Sequence, residues 1–217
     1  RPRAVPIEEE GRRHEVLGLF ALAGTILTGL ALFSYDAREV PLFQAIRNGW
    51  DLDLIAIFLR HGADPRAERR DLYSLADYAV RCGREDVVAL LVSHGAVRNP
   101  VPLDEFLGAL ARGDTPSARH WLIERPSWAE EQSDVISQIV TDRIGRGESG
   151  ALETALELGL DFNVPNAKGE TPLHYAAIHG QLAAVKRIIG RGARLDFRDH
   201  TYHAQPLGWC VHGSIHF

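Results

Sequence analysis

Residues 169–180 read GETPLHYAAIHG, a short apolar segment that ends at a glycine. Glycines also end four apolar segments further upstream, and the successive steps are 34, 30, 34 and 33 residues. In most units a second glycine follows about twelve residues later, after a second apolar segment. The two series are Gly49, Gly83, Gly113, Gly147 and Gly180, and Gly62, Gly95, Gly159 and Gly192, with Arg125 in place of glycine in the third unit.

This spacing predicts a repeated unit of two short helices. In the second segment of one unit, Val87, Leu90 and Leu91 keep the i, i+3, i+4 spacing of a single apolar helix face. We expect the first glycine to lie at the turn between the helices and the second to cap the second helix in the left-handed conformation. Such a pair cannot bury its apolar face alone, so neighbouring pairs must stack around one continuous core. The predicted fold class is all-α.

The quoted segment resembles the ankyrin repeat. Residues 171–177, TPLHYAA, match the T-P-L-H-x-A pattern of that family, and residues 192–193 match its G-A. The resemblance implies an ankyrin-type solenoid of helical pairs, which is generally a non-catalytic protein-binding module. It also implies that the Thr171 hydroxyl caps the first helix, that Pro172 takes the first helical position, and that His174 bonds to neighbouring backbone.

We predict an array of about five and a half units over residues 40–217. The motif is strong in the fifth unit, recognisable in the first two and degenerate in the third and fourth. The last unit resembles a P-L-G-W variant that is common in bacterial ankyrin proteins. Since this unit is incomplete, we expect apolar surface to lie open there, unless the chain is a piece or something else covers it. The predicted units are 40–72, 73–102, 103–132, 133–168, 169–203 and 204–217.

The N-terminal part has a different composition. A polar tail, residues 1–15, precedes an uncharged stretch of nineteen residues, 16–34. As a helix this stretch would be about 28 Å long, which is close to the ~30 Å hydrocarbon core of a bilayer. We therefore predict a single transmembrane helix over residues 16–35. A row of small residues would let another membrane helix pack closely against it. That row is Ala21, Thr25 and Gly29.

Two alternatives remain for this stretch: a hydrophobic end-repeat of a soluble cytoplasmic protein, and a cleaved signal peptide. If it is a membrane helix, the arginines flanking it set its orientation, because cytoplasmic flanks are enriched in basic residues. Arg1, Arg3, Arg12 and Arg13 precede it, whereas Arg38 and Arg47 follow. This excess places the N-terminus in the cytoplasm of a bacterial cell and the array on the outer side of its inner membrane.

The remaining chemistry argues against several classes of protein. A net charge of −5 gives no basic surface for nucleic acid. The sequence contains no phosphate-binding loop, dinucleotide fingerprint or nucleophile motif, so we predict neither an enzyme nor a cofactor. The residues near the C-terminal end suggest a metal site, but loop histidines and a buried thiol are the favoured interpretation. The residues concerned are His200, His203, Cys210, His212 and His216.

Without a catalytic, cofactor or metal site, we expect the protein to act by binding partners through its surface. Ankyrin arrays generally hold partners through their loop tips and the exposed face of their first helices, and the resemblance carries those positions onto this chain. We predict a membrane-tethered scaffold or accessory subunit of a bacterial membrane complex, whose partners include an integral membrane protein. The alternative is a soluble cytoplasmic adaptor or inhibitor. The candidate contact positions are Arg47, Asn48, Arg70, Asp71, Tyr73, Arg81, Lys168, Glu170, Ile178, His179, Thr201 and Tyr202.

Overall fold

The computed structural model describes residues 41–68, 73–166 and 168–216. Within these ranges every regular element is an α-helix. The predicted polar tail and transmembrane helix, with its row of small residues, lie outside the described residues. Among the described helices, none combines the length and apolar character that a bilayer crossing requires. The chain divides into two compact units, Arg1–Ala63 and Asp64–Phe217.

The described part of the first unit is one helical hairpin. Helix α1 (Pro41–Arg47) packs on helix α2 (Leu52–Arg60). Leu42, Ile46 and Ile55 are buried. These side chains form the apolar face that the two helices share.

The second unit contains ten helices in its described residues. Eight of them form four successive pairs, a short extra helix lies between the second and the third of these pairs, and one helix follows the fourth pair. The bounds are α3 Leu75–Arg81, α4 Glu85–Ser93, α5 Pro102–Arg112, α6 Thr115–Glu124, α7 Trp128–Glu131, α8 Ser133–Gly145, α9 Gly150–Leu158, α10 Pro172–Ile178, α11 Leu182–Gly190 and α12 Pro206–His216.

The first helices of successive pairs form one row. Helices α3, α5, α8, α10 and α12 each contact the next, and α4, α6, α9 and α11 each pack on the first helix of their own pair. One apolar cluster extends from helix α5 to helix α11, and its members include Phe106, Leu110, Ile144, Leu152 and Ile188. The predicted all-α fold is confirmed for the described residues, and helices α5 to α11 of the second unit share one core.

All nine glycines of the two series have positive φ, between 60° and 93°. Their predicted places at turns and caps are therefore confirmed, because this conformation favours glycine. At Gly113 space adds a second requirement, since a Cβ atom would lie 2.8 Å from the Gly150 Cα. In the third unit, where glycine is absent, Arg125 ends helix α6 with φ −138°.

A short extra helix, α7, lies in the connection between helices α6 and α8. Its Trp128 ring lies 5.8 Å from Phe106 and 6.4 Å from Trp121, so the connection adds aromatic surface to the core. The glycine step across this connection, from Gly113 to Gly147, stays at 34 residues.

Candidate protein-docking surface

The loop before helix α12 is organised by a buried carboxylate. Asp199 is 0% exposed. Burial by itself would raise its pKa, but the surrounding N–H donors, led by the Tyr202 amide and the Trp209 indole, lower the pKa to about 2. The charged side chain thereby fixes both the loop and the Trp209 ring. Asp199 accepts hydrogen bonds from the amides of Thr201 (2.8 Å), Tyr202 (2.6 Å) and Ala204 (3.0 Å), and from Trp209 Nε1 (3.0 Å).

The loop before helix α10 is organised in a similar way by Asn166. Its Oδ1 accepts hydrogen bonds from the amides of Lys168 (2.9 Å) and Glu170 (3.0 Å). Its Nδ2 donates to Glu170 Oε2 at 2.9 Å. The His200 amide donates to the Lys168 carbonyl at 2.7 Å. The two loops are therefore joined to each other through their backbones.

His174 connects helix α10 to the second loop. Its Nδ1 accepts a hydrogen bond from the Thr171 amide (3.1 Å) and lies 3.0 Å from the Thr171 hydroxyl oxygen. Its Nε2 lies 3.3 Å from the Ala204 carbonyl. Burial lowers the pKa of His174, which favours the neutral imidazole that this pattern needs. Thr171 and His174 form a capping box, and Pro172 begins the helix, so the three predicted roles are confirmed.

Between the two loops and their helices lies a cavity of about 500 Å³. Glu170 provides a carboxylate whose Oε2 accepts a hydrogen bond from the Tyr175 hydroxyl at 3.2 Å. The Tyr175 and Trp209 rings lie 5.6 Å apart. The cavity thus combines a negative charge with aromatic walls. Its lining residues are Glu170, Ile178, Tyr202, Ala204, Gly208 and Trp209.

Three of the predicted contact positions meet at this cavity: Glu170, Ile178 and Tyr202. Ile178 is half-buried and Tyr202 is 75% exposed. Glu170 was expected on an exposed face, and this expectation is corrected, because its side chain is only 6% exposed. Its bonds to Asn166 and Tyr175 draw the carboxylate inward, where it forms part of the wall.

Three further predicted positions lie around this group. Lys168 and Thr201 are exposed in the two loops, and His179 is exposed at the C-terminal end of helix α10. The His179 ring lies 6.3 Å from Tyr175. We define the loop–helix surface as Lys168, Glu170, Ile178, Tyr202 and Trp209.

Two predicted positions belong to a different cluster, between helices α3 and α5. Arg81 Nη1 lies 3.4 Å from Asp104 Oδ1. Burial, followed by a hydrogen bond to Asp104, raises the pKa of the Tyr73 hydroxyl. Both side chains are half-buried against a buried carboxylate. The Arg81–Asp104 contact therefore connects helices α3 and α5, and Tyr73 lies just before helix α3.

The other predicted positions lie elsewhere. Arg47 and Asn48 are exposed at the end of helix α1, in the first compact unit. Arg70 and Asp71 lie outside the described residues. Whether any of the twelve positions contacts a partner stays a prediction.

The sequence interpretation missed Trp209, Tyr175 and Asp199. A signal for them was present, because Trp209 follows Tyr175 by 34 residues and Asp199 follows Asn166 by 33. These steps match the repeat length. Asn166 and Asp199 therefore occupy equivalent loop positions in successive repeats, and Tyr175 and Trp209 occupy equivalent helix positions. Comparing units position by position would have shown aromatic residues at adjacent sites of the first-helix row.

A second, apolar groove of about 390 Å³ lies between helices α10, α11 and α12. Leu182, Ile189 and Leu207 line it and are exposed. The expectation of open apolar surface beside the last helix is thereby confirmed. Cys210, expected in a buried position, lines the same groove and is exposed, because in the described residues no further helix packs there.

The described residues hold no group of three or more His, Cys, Asp or Glu side chains placed to bind a metal. His200 and His203 lie in the loop before helix α12, where the sequence placed them. The left-handed φ of 50° at His203 is the single positive φ of a residue other than glycine in the described parts of the chain.

Comparisons with known proteins agree with this architecture. Residues 147–189, which include helices α9 and α10, match the family model for ankyrin repeats (many copies). The chain is 30% identical over 70 residues to "Putative ankyrin repeat protein YahD" of Escherichia coli (strain K12), covering 32% of this chain and 35% of that protein. It is 29% identical over 129 residues to "Putative ankyrin repeat protein FPV115" of Fowlpox virus (strain NVSL), covering 58% of this chain and 22% of that protein.

A third relative is "Putative palmitoyltransferase ZDHHC13" of Danio rerio, with 36% identity over 73 residues, 32% of this chain and 11% of that protein. The matched part of the chain thus spans about a third or less of the length of each of these relatives. Together, the family match, the two relatives named for ankyrin repeats and the helical stack support an ankyrin-repeat protein, and hence a protein–protein interaction module.

Proposed function

We propose that this protein is a non-catalytic binding module that docks a partner protein on the loop–helix surface. The observation that carries the proposal is the meeting of Glu170, Ile178 and Tyr202 around one cavity. The sequence predicts partner contact at all three positions, although Ile178 and Tyr202 are 24 positions apart along the chain. An exposed tyrosine beside a partly buried tryptophan is the kind of anchor that dominates binding energy at protein interfaces.

The rigidity of this surface supports the proposal further. Asp199 and Asn166 fix their own loops, and the bond from His200 to Lys168 joins them. A surface ordered before binding loses little conformational freedom when the partner arrives. The second loop can therefore present Tyr202 without rearrangement, and its Asp199 holds the Trp209 ring of helix α12 in place.

A site-specific crosslink tests this docking surface. We would replace Tyr202 by the photoreactive residue benzoylphenylalanine in the full chain, crosslink in cells, and identify the captured protein. The matched control places the same residue at Ile123, a similarly exposed side chain on the second-helix row (69%, against 75% for Tyr202). We expect a specific adduct from position 202 and none from position 123. An adduct from position 123 alone would overturn this assignment.

We further propose that residues 16–35 tether the module to a bacterial inner membrane, as a scaffold or accessory subunit of a membrane complex. Support comes from the nineteen uncharged residues 16–34. A membrane helix and a docking surface on one chain would bind the same complex twice, and each attachment raises the effective concentration of the other. An integral membrane protein is then a natural partner, and the flanking arginines favour an array on the outer side.

Extraction of membranes with alkaline carbonate tests the tether. We expect the full chain to stay in the membrane pellet and the Ile26→Arg variant, with a charge in the middle of the stretch, to be released. A protein that is soluble before any extraction would instead support the cytoplasmic adaptor or inhibitor. Deleting residues 1–38 should also loosen the purified complex, and an unchanged complex would show that the tether has no stabilising role.

A further inference from the structure

We propose that the cavity of the loop–helix surface binds a cationic side chain, arginine or lysine, of the partner protein. This inference rests on the proposed docking function and adds the chemistry of the contact. Three features of the cavity carry it: a buried carboxylate, aromatic walls and a volume that fits a side chain.

The charge of the cavity comes from Glu170. Its side chain is 6% exposed and lines the cavity, and its Oε2 is held in place by Asn166 and Tyr175. Burial, followed by the negative charges of Glu170 and Asp142, raises the pKa of Tyr175 to about 12. The Glu170 charge thus acts on the Tyr175 hydroxyl, which lies 3.2 Å from the carboxylate at the edge of the cavity. An incoming cation would be attracted by that charge, and such an attraction is stronger near buried charges than in water.

The walls supply a second attraction. Trp209 and Tyr202 line the cavity, and the Tyr175 ring lies 5.6 Å from Trp209. The bond from Trp209 Nε1 to Asp199 holds the indole in place. A guanidinium or ammonium group within about 6 Å of an aromatic ring is attracted to its face. A site with both a carboxylate and ring faces suits a cation with an apolar stem better than a neutral side chain.

The volume is also appropriate. Pockets that hold small ligands usually enclose about 300–1,000 Å³, and this cavity has about 500 Å³. It can therefore accept one long side chain. Ile178 contributes an apolar wall, against which the methylene groups of arginine or lysine can pack.

A peptide titration tests the inference. We would label the full chain with ¹⁵N and add acetyl-Gly-Arg-Gly-amide, the corresponding lysine peptide, or a citrulline peptide that keeps the shape of arginine without its charge. We expect saturable shifts of the Trp209 indole resonance with a cationic peptide, and at least tenfold weaker binding of citrulline. The indole resonances of Trp50, Trp121 and Trp128 should stay in place. Equal binding of the citrulline peptide, or no shift at Trp209 with either cation, would overturn the inference.

Variants then identify the carboxylate. Glu170→Gln keeps acceptors for Asn166 and Tyr175 but removes the charge, so we expect at least a tenfold loss of affinity. Glu157→Gln, at an exposed position on helix α9, is the matched control and should bind as the natural chain does. If Glu170→Gln does not fold, Ile178→Lys places an ammonium group at the cavity wall and should abolish peptide binding. Unchanged affinity in the folded variant would contradict the role of the cavity.

The two proposals fail in different ways. The crosslink from Tyr202 reports docking regardless of what occupies the cavity. A crosslinked partner together with no cation binding would overturn the cation site alone. Cation binding together with a partner captured only from Ile123 would overturn the docking surface and leave the cavity as a site for another cationic ligand.

Discussion

His174 Nε2 lies 3.3 Å from the Ala204 carbonyl oxygen, so a single imidazole connects the start of one repeat to the loop that begins the next. Nδ1 of the same ring accepts a hydrogen bond from the Thr171 amide. Because Nδ1 must be unprotonated to accept that bond, the arrangement holds for the neutral imidazole. Protonation of His174 would therefore weaken both the cap of helix α10 and the contact between the two repeats.

This connection makes stability depend on pH. Burial lowers the pKa of His174 in the folded chain, so near pH 6 the unfolded chain binds a proton that the folded chain does not. We expect the free energy of unfolding to fall as pH decreases from 7.5 to 5. His174→Gln should cost about 1–3 kcal/mol at pH 7.5 and flatten this dependence. Urea unfolding at several pH values measures the stability loss and its pH dependence. If the stability of the variant depended on pH as steeply as that of the natural chain, His174 would not be the group responsible.

Asp199 should be a strong stabilising residue of the second loop. Asp199→Ala leaves its four N–H donors without their acceptor, so we expect a loss of about 2 kcal/mol or more. Since its pKa is lowered to about 2, the natural contribution is present above pH 4 and disappears as the pH falls towards 2. Thermal unfolding compares this variant with Asp196→Ala, whose carboxylate is exposed and should matter little. Equal melting temperatures for the two variants would show that the loop is held by other contacts.

Gly108 should tolerate no side chain. A Cβ atom there would lie 2.2 Å from the Val80 carbonyl oxygen, so Gly108→Ala must push helices α3 and α5 apart. We expect a loss of about 1–3 kcal/mol from this overpacking. Gly190→Ala is the matched control, since it also lies in a helix and its Cβ would meet no atom within 4 Å. It should be neutral or stabilise by about 0.5 kcal/mol, because alanine restricts the unfolded chain. Chemical unfolding of both variants separates steric crowding from helix propensity.

The two cysteines should react at very different rates. Cys210 is exposed in the apolar groove, whereas Cys82 is partly buried and burial raises the pKa of its thiol. Since the thiolate is the reactive form, N-ethylmaleimide at pH 7 should modify Cys210 first. Peptide mass spectrometry locates the adduct, and denaturant should make both sites reactive. Faster modification of Cys82 in the folded protein would contradict the arrangement of helix α12.

Much of the fold could be predicted from the sequence because the determinants are local. A positive φ at Gly83 or Gly180 is a property of that residue and its two neighbours, so the glycine spacing marks the turns directly. The cap formed by Thr171 and His174 spans only four residues. The family model matches this same part of the chain, residues 147–189.

What could not be predicted depends on contacts between repeats. The burial of Glu170 follows from its hydrogen bonds to Asn166 and Tyr175. The sequence alone does not show which way the Glu170 side chain turns. The crowding at Gly108 depends on how closely helix α5 approaches Val80. In the third and fourth units the motif residues are degenerate and Arg125 replaces the second glycine, so contact positions could not be transferred there.

Helix α12 provides the Trp209 wall of the cavity, and in the described residues it packs mainly on α10, whereas α10 packs on both α8 and α12. Local opening of α12 therefore breaks fewer contacts than opening of α10. A ligand that needs Trp209 in place selects the molecules in which α12 is packed on α10, and its apparent affinity falls with their fraction. Ligand binding and packing of helix α12 are therefore thermodynamically linked, and ligand should slow amide exchange in helix α12 more than elsewhere.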